Sequence, residues 1–455
     1  MALLFSATLA LGCSATEIGQ GDSGNPPVID DSSGGDQVTD PTLPQPPVNA
    51  ITTGEELFTN DTIPTIQLNL TPSDWQTLND TAVQELYVPG QATLLDETVT
   101  NIGIRYKGAF GSLYACFTNG IRNGNCDKLA IKLKFNEYVD GQRLFGLKRL
   151  NLHAMENDAS FMREVLAYEA FRENGIKAPR TSYVKLQING DDLGLYLAVE
   201  NVDGRFTRSN FDDGGEGNLY KEVWPKSQQT NYYLEGLKTN EDEFPDVSNF
   251  VNFANAISSS SNEDFVSTLG QYVDPTHWIR YITLSRLVGH WDGVFAWYCG
   301  GSGANQQCNN HNFYWYQSRD NQKFTIVPWD YDNSFYFNHF QWEAGIPSWA
   351  EATTDCSVQY DLFGGKSIAP HCDSLLGKTR ATMWEDYKAL ARPLLDGHFS
   401  NDNMSSRIDA LIEQIDDAVA NDPIRDYNNW LNHQNTLRNL VVEKANIVEA
   451  EITNN

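Results

Sequence analysis

The spacing of apolar residues changes near Asp203, and that change constrains the fold more than any other feature of the sequence. Before it, short segments alternate between apolar and polar. Segments 65–70 and 99–107 do so, and Leu129, Ile131, Leu133 and Phe135 share one face while Lys132 and Lys134 share the other. A period of two is the mark of a half-buried strand. Segment 146–152 reads as a further strand, with Lys148 on the face of Leu150 and Leu152. After Asp203 the apolar residues recur every three to four positions over 247–272, 275–290, 377–395, 403–420 and 427–452. These are amphipathic helices, the second capped by Asp274 with Pro275 in its first position. Only 312–336 interrupts them, with a hairpin. The sequence therefore predicts an α+β protein in which a strand-rich lobe with one helix precedes a mainly helical lobe. Two lobes also suit a chain of 455 residues.

The helix of the first lobe starts at Asn157 or Asp158 and stops before Gly175. Helical spacing sets Glu164 among Phe161, Tyr168 and Phe171, on the arc that faces the core. A carboxylate buried there needs a partner. Segments 182–189 and 194–199 form a hairpin around Asn189-Gly190.

The first 55 residues do not belong to this pattern. Residues 3–13 are an apolar run ending at Cys13, too short to span a membrane as a helix. They are similar to the end of a lipoprotein signal, although no Lys or Arg precedes the run. Residues 14–55, rich in Gly, Ser, Pro and Asp, read as a flexible linker. Residues 56–203 and 204–455 are then the two lobes. The remaining six cysteines fall as neighbours, Cys116/Cys126, Cys299/Cys308 and Cys356/Cys372, each pair closing a short polar loop. Local disulfides and an oxidising compartment are the simplest reading. None has the spacing of a zinc knuckle. A formal net charge of −28 disfavours nucleic acid as a partner, although local cations or a metal could still hold a nucleotide.

The candidate chemistry lies in the middle of the chain. Asp292 follows a long predicted helix, Asn312 opens an aromatic strand, and Asp330 and Asp332 end the next strand, in Val327-Pro328-Trp329-Asp330-Tyr331-Asp332. Carboxylates and an amide brought together in this way suit Mg²⁺ or Mn²⁺ on phosphates. They also suit Ca²⁺ in a surface domain, and Asp is common as a turn residue. His290 and His311 flank the acids without pointing to a ligand role.

Four segments in this order resemble the CotH family, spore-coat protein H and its relatives. They are Leu147-Lys148-Arg149-Leu150-Asn151-Leu152, Phe161-Met162-Arg163-Glu164-Val165-Leu166-Ala167-Tyr168, Gly194-Leu195-Tyr196-Leu197-Ala198-Val199-Glu200 and the Asp330 segment. The resemblance covers roughly residues 60–400. It implies a two-lobed atypical protein kinase-like fold and ATP- and metal-dependent phosphorylation of a protein substrate. It assigns Asp292 as the catalytic acid, Asn312 and Asp330 as metal ligands with Asp332 beside them, and Lys148 held by Glu164 as the phosphate lysine. Lys132, Lys134 or Arg149 could take the place of Lys148. Glu200 to Val202 would form the adenine hinge. Arg105-Tyr106-Lys107-Gly108-Ala109-Phe110-Gly111-Ser112 stands where family members commonly show Arg-x-x-Gly-Asn-Ser, and the Asn is missing here. The separation of Asp292 from Asn312, which contains Cys299 and Cys308, also departs from the short spacing of a kinase catalytic loop. The expected protein is an exported kinase of the cell envelope, attached through lipidated Cys13 and acting on Ser, Thr or Tyr. The competing expectation is a surface protein that keeps the fold for adhesion or assembly.

Overall fold

The computed structural model describes residues 54–454 except 60–61, 109–112, 125, 227–228, 243–244, 301–306, 337–338 and 352–354. The proposed signal and nearly all of the linker lie outside the described residues.

Seven strands close a barrel: β1 Thr65–Asn69, β2 Val88–Leu94, β3 Glu97–Tyr106, β4 Ile131–Lys134, β5 Arg149–His153, β6 Thr181–Ile188 and β7 Asp191–Glu200. Their order is β1-β2-β3-β4-β5-β7-β6, and β6 closes it by pairing in parallel with β1, with Ile66 opposite Leu186. Alternation determines what fills it. Ile104, Ile131, Leu133, Leu150, Leu152, Val184 and Tyr196 all belong to one buried core inside the barrel. The polar set of the same strands, including Arg105, Lys132, Arg149, Asn151 and His153, faces away from that core. The β6–β7 hairpin turns through Asn189 and Gly190 with φ of 53° and 89°, the left-handed pair that an Asn-Gly turn predicts.

The single long helix of this half, α1 Arg163–Glu173, begins later than the sequence predicts. Phe161 takes a left-handed φ of 62°, which breaks the helical path. Asp158 still serves the helix start, accepting from the Arg163 amide at 2.8 Å.

The second half is mainly helical: α2 Ser248–Ser259, α3 Asn262–Tyr272, α4 Pro275–Val288, α5 Ser374–Thr382, α6 Trp384–Asp396, α7 Asn401–Ala420 and α8 Tyr427–Asn454. Two predicted helices are each divided. Ser261 caps α3 by accepting from Asp264 N at 3.2 Å, and α5 and α6 separate at Met383. Inside this half a three-stranded sheet, β8 Asn218–Lys221, β9 Phe313–Gln317 and β10 Phe324–Pro328, adds a strand that periodicity missed. The sheet packs on Trp224, Phe250 and Trp278, with the rings of Trp278 and Trp315 stacked at 5.9 Å.

One buried ion pair ties the two halves together. Lys128, just before β4, meets Asp422, just after α7, at 2.5 Å with both side chains fully buried. Asp422 also accepts from Leu195 N at 2.8 Å. Gly194 is glycine for this reason: a Cβ there would lie 2.1 Å from the Asp422 carboxylate. All three disulfides pair locally as the sequence predicts, Cys116–Cys126, Cys299–Cys308 and Cys356–Cys372.

Candidate active site between the barrel and the helical half

The β10 strand ends at Pro328, and the chain then turns sharply so that Asp330 sits at a left-handed φ of 56°. Two bonds hold it there: its amide donates to the Tyr168 hydroxyl of α1 at 2.8 Å, and buried His290 donates from Nε2 to its carbonyl at 2.9 Å. Backbone strain over-determined by its surroundings is a mark of functional sites. His290 therefore positions Asp330 through the main chain, and burial pushes its pKa down to about 4, which keeps it neutral. A Cβ on Gly293 would lie 2.8 Å from the other ring nitrogen, so the turn carrying Asp292 closes tightly on the same imidazole.

Opposite Asp330 the barrel contributes a relay rather than the expected direct pair. Lys107 Nζ lies 2.7 Å from His153 Nε2, and His153 Nδ1 lies 2.8 Å from Glu164 Oε2. An ammonium group only donates, so Nε2 accepts from Lys107 and Nδ1–H donates to Glu164. Lys107 also lies 5.5 Å over the Trp329 ring. Burial lowers its pKa, while Asp330 and Glu164 favour its charge. The expected Lys148–Glu164 pair is thus replaced by Lys107–His153–Glu164. Half-buried Lys148 precedes β5, whereas His153 lies within it, on the face opposite Leu150 and Leu152, which fill the barrel, and there it meets α1.

The other predicted phosphate groups cluster near Lys107. Arg105 pairs with Glu85 at 2.6 Å, and Arg149 reaches Asp203 at 3.4 Å. The side chain of half-buried Lys132, opposite Arg105 on the neighbouring strand, makes no hydrogen bond or ion pair among the described residues. Burial first, then repulsion from Arg149, Arg105 and Lys107, pushes its pKa down to about 7. A cation left in that position favours an anion. Lys134 pairs with Glu137 instead. Glu200 gives its carboxylate to Arg180, at 2.6 and 3.0 Å, and Val202 is buried, so the predicted hinge has only backbone to offer adenine. Residues 109–112 of the predicted phosphate cover lie outside the described residues.

Asp292 and Asn312 meet, and Asp330 lies close enough to act on Asp292. Asn312 Nδ2 donates to Asp292 Oδ2 at 2.9 Å and to its carbonyl at 3.0 Å, despite the long intervening segment. The paired strands that carry the Cys299–Cys308 bridge close that segment on itself. Asn312 too has a left-handed φ, 67°. Burial raises the pKa of Asp292, and nearby Asp330 adds to the rise. His311 pairs with Glu222 at 3.9 Å, and Lys221 with Glu222 at 3.8 Å. Burial alone would lower the pKa of His311, but Glu222 raises it overall.

Asp332 accepts from Asn157 Nδ2 at 3.2 Å. Burial, then repulsion from Asp330 and Glu164, pushes its carboxyl well above the usual range. His153, Glu164 and Asp330 offer ligand atoms within 4.8 Å of one another, and Glu164 Oε1 is buried without a hydrogen-bond partner. A crowded set of acids with an orphaned oxygen suits a divalent cation. Of this set Glu164 and Asp330 could hold such an ion, because His153 is already engaged on both nitrogens. A cavity of about 420 Å³ on another side of α1 contains none of these acids; Glu169, Tyr183 and Arg407 line it.

The fold and site together define an α+β protein in which a basic relay on a barrel faces clustered acids on a helical half. Residues 104–447 match the family model described as CotH kinase protein, and the chain belongs to that family. The inner spore coat protein H of Bacillus subtilis is 22% identical over 292 residues, 62% of this chain and 71% of that protein. Spore coat protein homolog 1 of Rhizopus delemar is 22% identical over 255 residues, 51% of this chain and 42% of that protein. The Helicobacter pylori proinflammatory kinase CtkA superposes loosely, with a TM-score of 0.26 and 12% identity over 69% of this chain and 89% of that one. Family membership implies an atypical kinase that uses ATP and a protein substrate. The disulfides and the spore-coat relative suggest an extracellular or envelope location.

Proposed function

We propose that this protein is an exported kinase that transfers the γ-phosphoryl group of ATP to a Ser, Thr or Tyr hydroxyl of an envelope or extracellular protein. The observation that carries the reading is the Lys107–His153–Glu164 relay facing Asp330, with Asp292 bonded to Asn312 beside it. In the transfer, the acceptor oxygen bonds to the γ-phosphorus, the bond to the ADP oxygen breaks, and the acceptor proton passes to Asp292. Asn312 holds that carboxylate in place, and burial makes it a better base than an exposed one. Lys107 orients the phosphates, with Lys132 and Arg105 offering further positive charge. Lys148 takes no part. Asp330 and Asp332, with Asn312, would hold Mg²⁺ or Mn²⁺, which neutralises phosphate charge when bound. Residues 56–203 and 204–455 would act as the two lobes, and Cys13 as the lipid attachment.

The second reading, a non-catalytic surface protein, has one observation in its favour. Invasin CotH7 of Rhizopus delemar is 23% identical over 206 residues, 44% of this chain and 33% of that protein. Nucleotide titration separates the two. Wild-type protein should bind ATP more tightly with Mn²⁺ present, and Asp330→Asn should lose the metal-dependent part. No binding by the wild type at millimolar ATP and Mn²⁺ would refute the kinase reading.

A further inference from the structure

A phosphoryl group that crosses from the relay to Asp292 carries charge on its oxygens throughout, and that charge needs cations along the path. Lys107 serves the barrel end. A second lysine stands on the half that carries Asp292. Lys221 closes β8, and the antiparallel pairing of β8 with β9 sets it directly opposite Tyr314. Residues opposed in this way share one face of a sheet. Tyr314 meets Trp329 edge to face, with ring centroids 5.6 Å apart, and Lys107 lies over the same Trp329 ring. The two buried rings therefore make a floor with Lys107 at one end and Lys221 at the other, and Asp330 follows Trp329 in the chain.

The charges around Lys221 place its ammonium within reach of both groups of acids. Burial alone would raise the pKa of Asp330, but Lys107, His153, Lys221 and His290 lower it overall. On the other side, burial and Lys221 both oppose the rise that Glu222 and Asp292 produce in His311, the neighbour of Asn312. Glu222 fixes the end of the strand. It takes a left-handed φ of 54°, its amide donates to the Phe313 carbonyl at 3.1 Å, and its Oε1 accepts from the Asn312 amide at 3.4 Å. A strained residue tied down in this way marks a functional position, and here it ties Lys221 to the residue that bonds Asp292. The ammonium itself is held loosely. Its pair with Glu222 spans 3.8 Å between side chains that are 36% and 30% exposed, and a pair of that kind is worth little beside a bond to phosphate.

We infer that Lys221 binds the γ-phosphate of ATP and stays on the phosphoryl group as it crosses to the acceptor, the counterpart on the helical half of Lys107 on the barrel. This assignment rests on the phosphoryl-transfer reading. ADP lacks the group that Lys221 would hold, so loss of the ammonium should act on ATP alone. Burial alone would lower the pKa of Lys221, but Tyr314, Glu222 and Asp330 raise it overall, so the side chain is charged at neutral pH.

The test compares the full chain with Lys221→Met and Lys221→Arg. Binding of ATP and of ADP, each with Mn²⁺, is read by calorimetry, and transfer by incorporation of phosphate from γ-labelled ATP. Urea melts should show both variants as stable as the wild type, since the side chain is partly exposed and its one ion pair is long. Lys221→Met should weaken ATP about tenfold, the size of one lost charged hydrogen bond, and leave ADP unchanged. It should also slow incorporation about 100-fold. Lys221→Arg should restore most of the ATP affinity. An unchanged ATP affinity in Lys221→Met, or ADP weakened as much as ATP, would overturn the assignment. If Lys221→Met weakens ATP alone but the wild type transfers no phosphate, the γ-phosphate site stands and the transfer reading fails.

Discussion

Replacing His153 with Leu separates the two consequences of the relay. Its imidazole is the partner of both Lys107 Nζ and Glu164 Oε2, at 2.7 and 2.8 Å. The Glu164 side chain is only 3% exposed, and its Oε1 already lacks a partner. Removing the imidazole strands a buried carboxylate, which costs about 3–5 kcal/mol. The same change frees Lys107 from its tether. Loss of one oriented charge on the phosphates should slow transfer about 100-fold, roughly 2.7 kcal/mol in the barrier. The double variant His153→Leu/Glu164→Gln removes the stranded charge as well, so it should recover most of the stability and none of the rate. Urea unfolding measures the first quantity and initial rates of labelled-phosphate transfer the second. A single variant as stable and active as the wild type would refute the relay, as would a double variant that recovers activity.

Three further outcomes follow from the same geometry. Lys107→Met should lower kcat/KM at least 100-fold, whereas Lys148→Met should stay within about threefold, because it is the Lys107 charge that lies beside Asp330 and Glu164; steady-state kinetics on both variants decides. Asp422→Ala should destabilise the protein by about 3–5 kcal/mol in a chemical melt, since it leaves Lys128 buried without its carboxylate. Burial pushes Asp373, the cap of α5, up to about 6. A carboxyl raised in the fold contributes stability at low pH that is lost as pH rises from about 4 through 6. Asp373→Asn keeps the cap and removes the charge, so it should flatten that slope and stabilise the protein at pH 7 by up to about 3 kcal/mol.

What could be read from the sequence followed from how each structural cue is encoded. Period-two spacing located β1, β3, β4, β5 and the β6–β7 hairpin, and 3.6 spacing located the long helices. Their ends were less legible, because Phe161 and Met383 stop helices through backbone conformation and packing, not through Gly or Pro. The meeting of Asp292 with Asn312 was legible because both stand at element ends. The contacts of Glu164 were not. Spacing set Lys148 with Leu150 and Leu152, but the strand starts only at Arg149, and the two leucines line the barrel. The useful signal was the other parity of the same strand, Arg149, Asn151 and His153, which had to be the face meeting Glu164. Lys107 stood within the segment read as the phosphate cover, and its partnership with His153 is a contact between separate strands that spacing alone does not encode. Tyr168 and Lys221 entered the site for the same reason.

The most direct measurement of the central claim is phosphate incorporation from γ-labelled ATP with Mg²⁺ or Mn²⁺, by the full chain beside Asp292→Asn and Asp330→Asn. The geometry predicts incorporation by the wild type and its loss in both variants, with ATP binding retained in Asp292→Asn. Incorporation that survives both substitutions would contradict it.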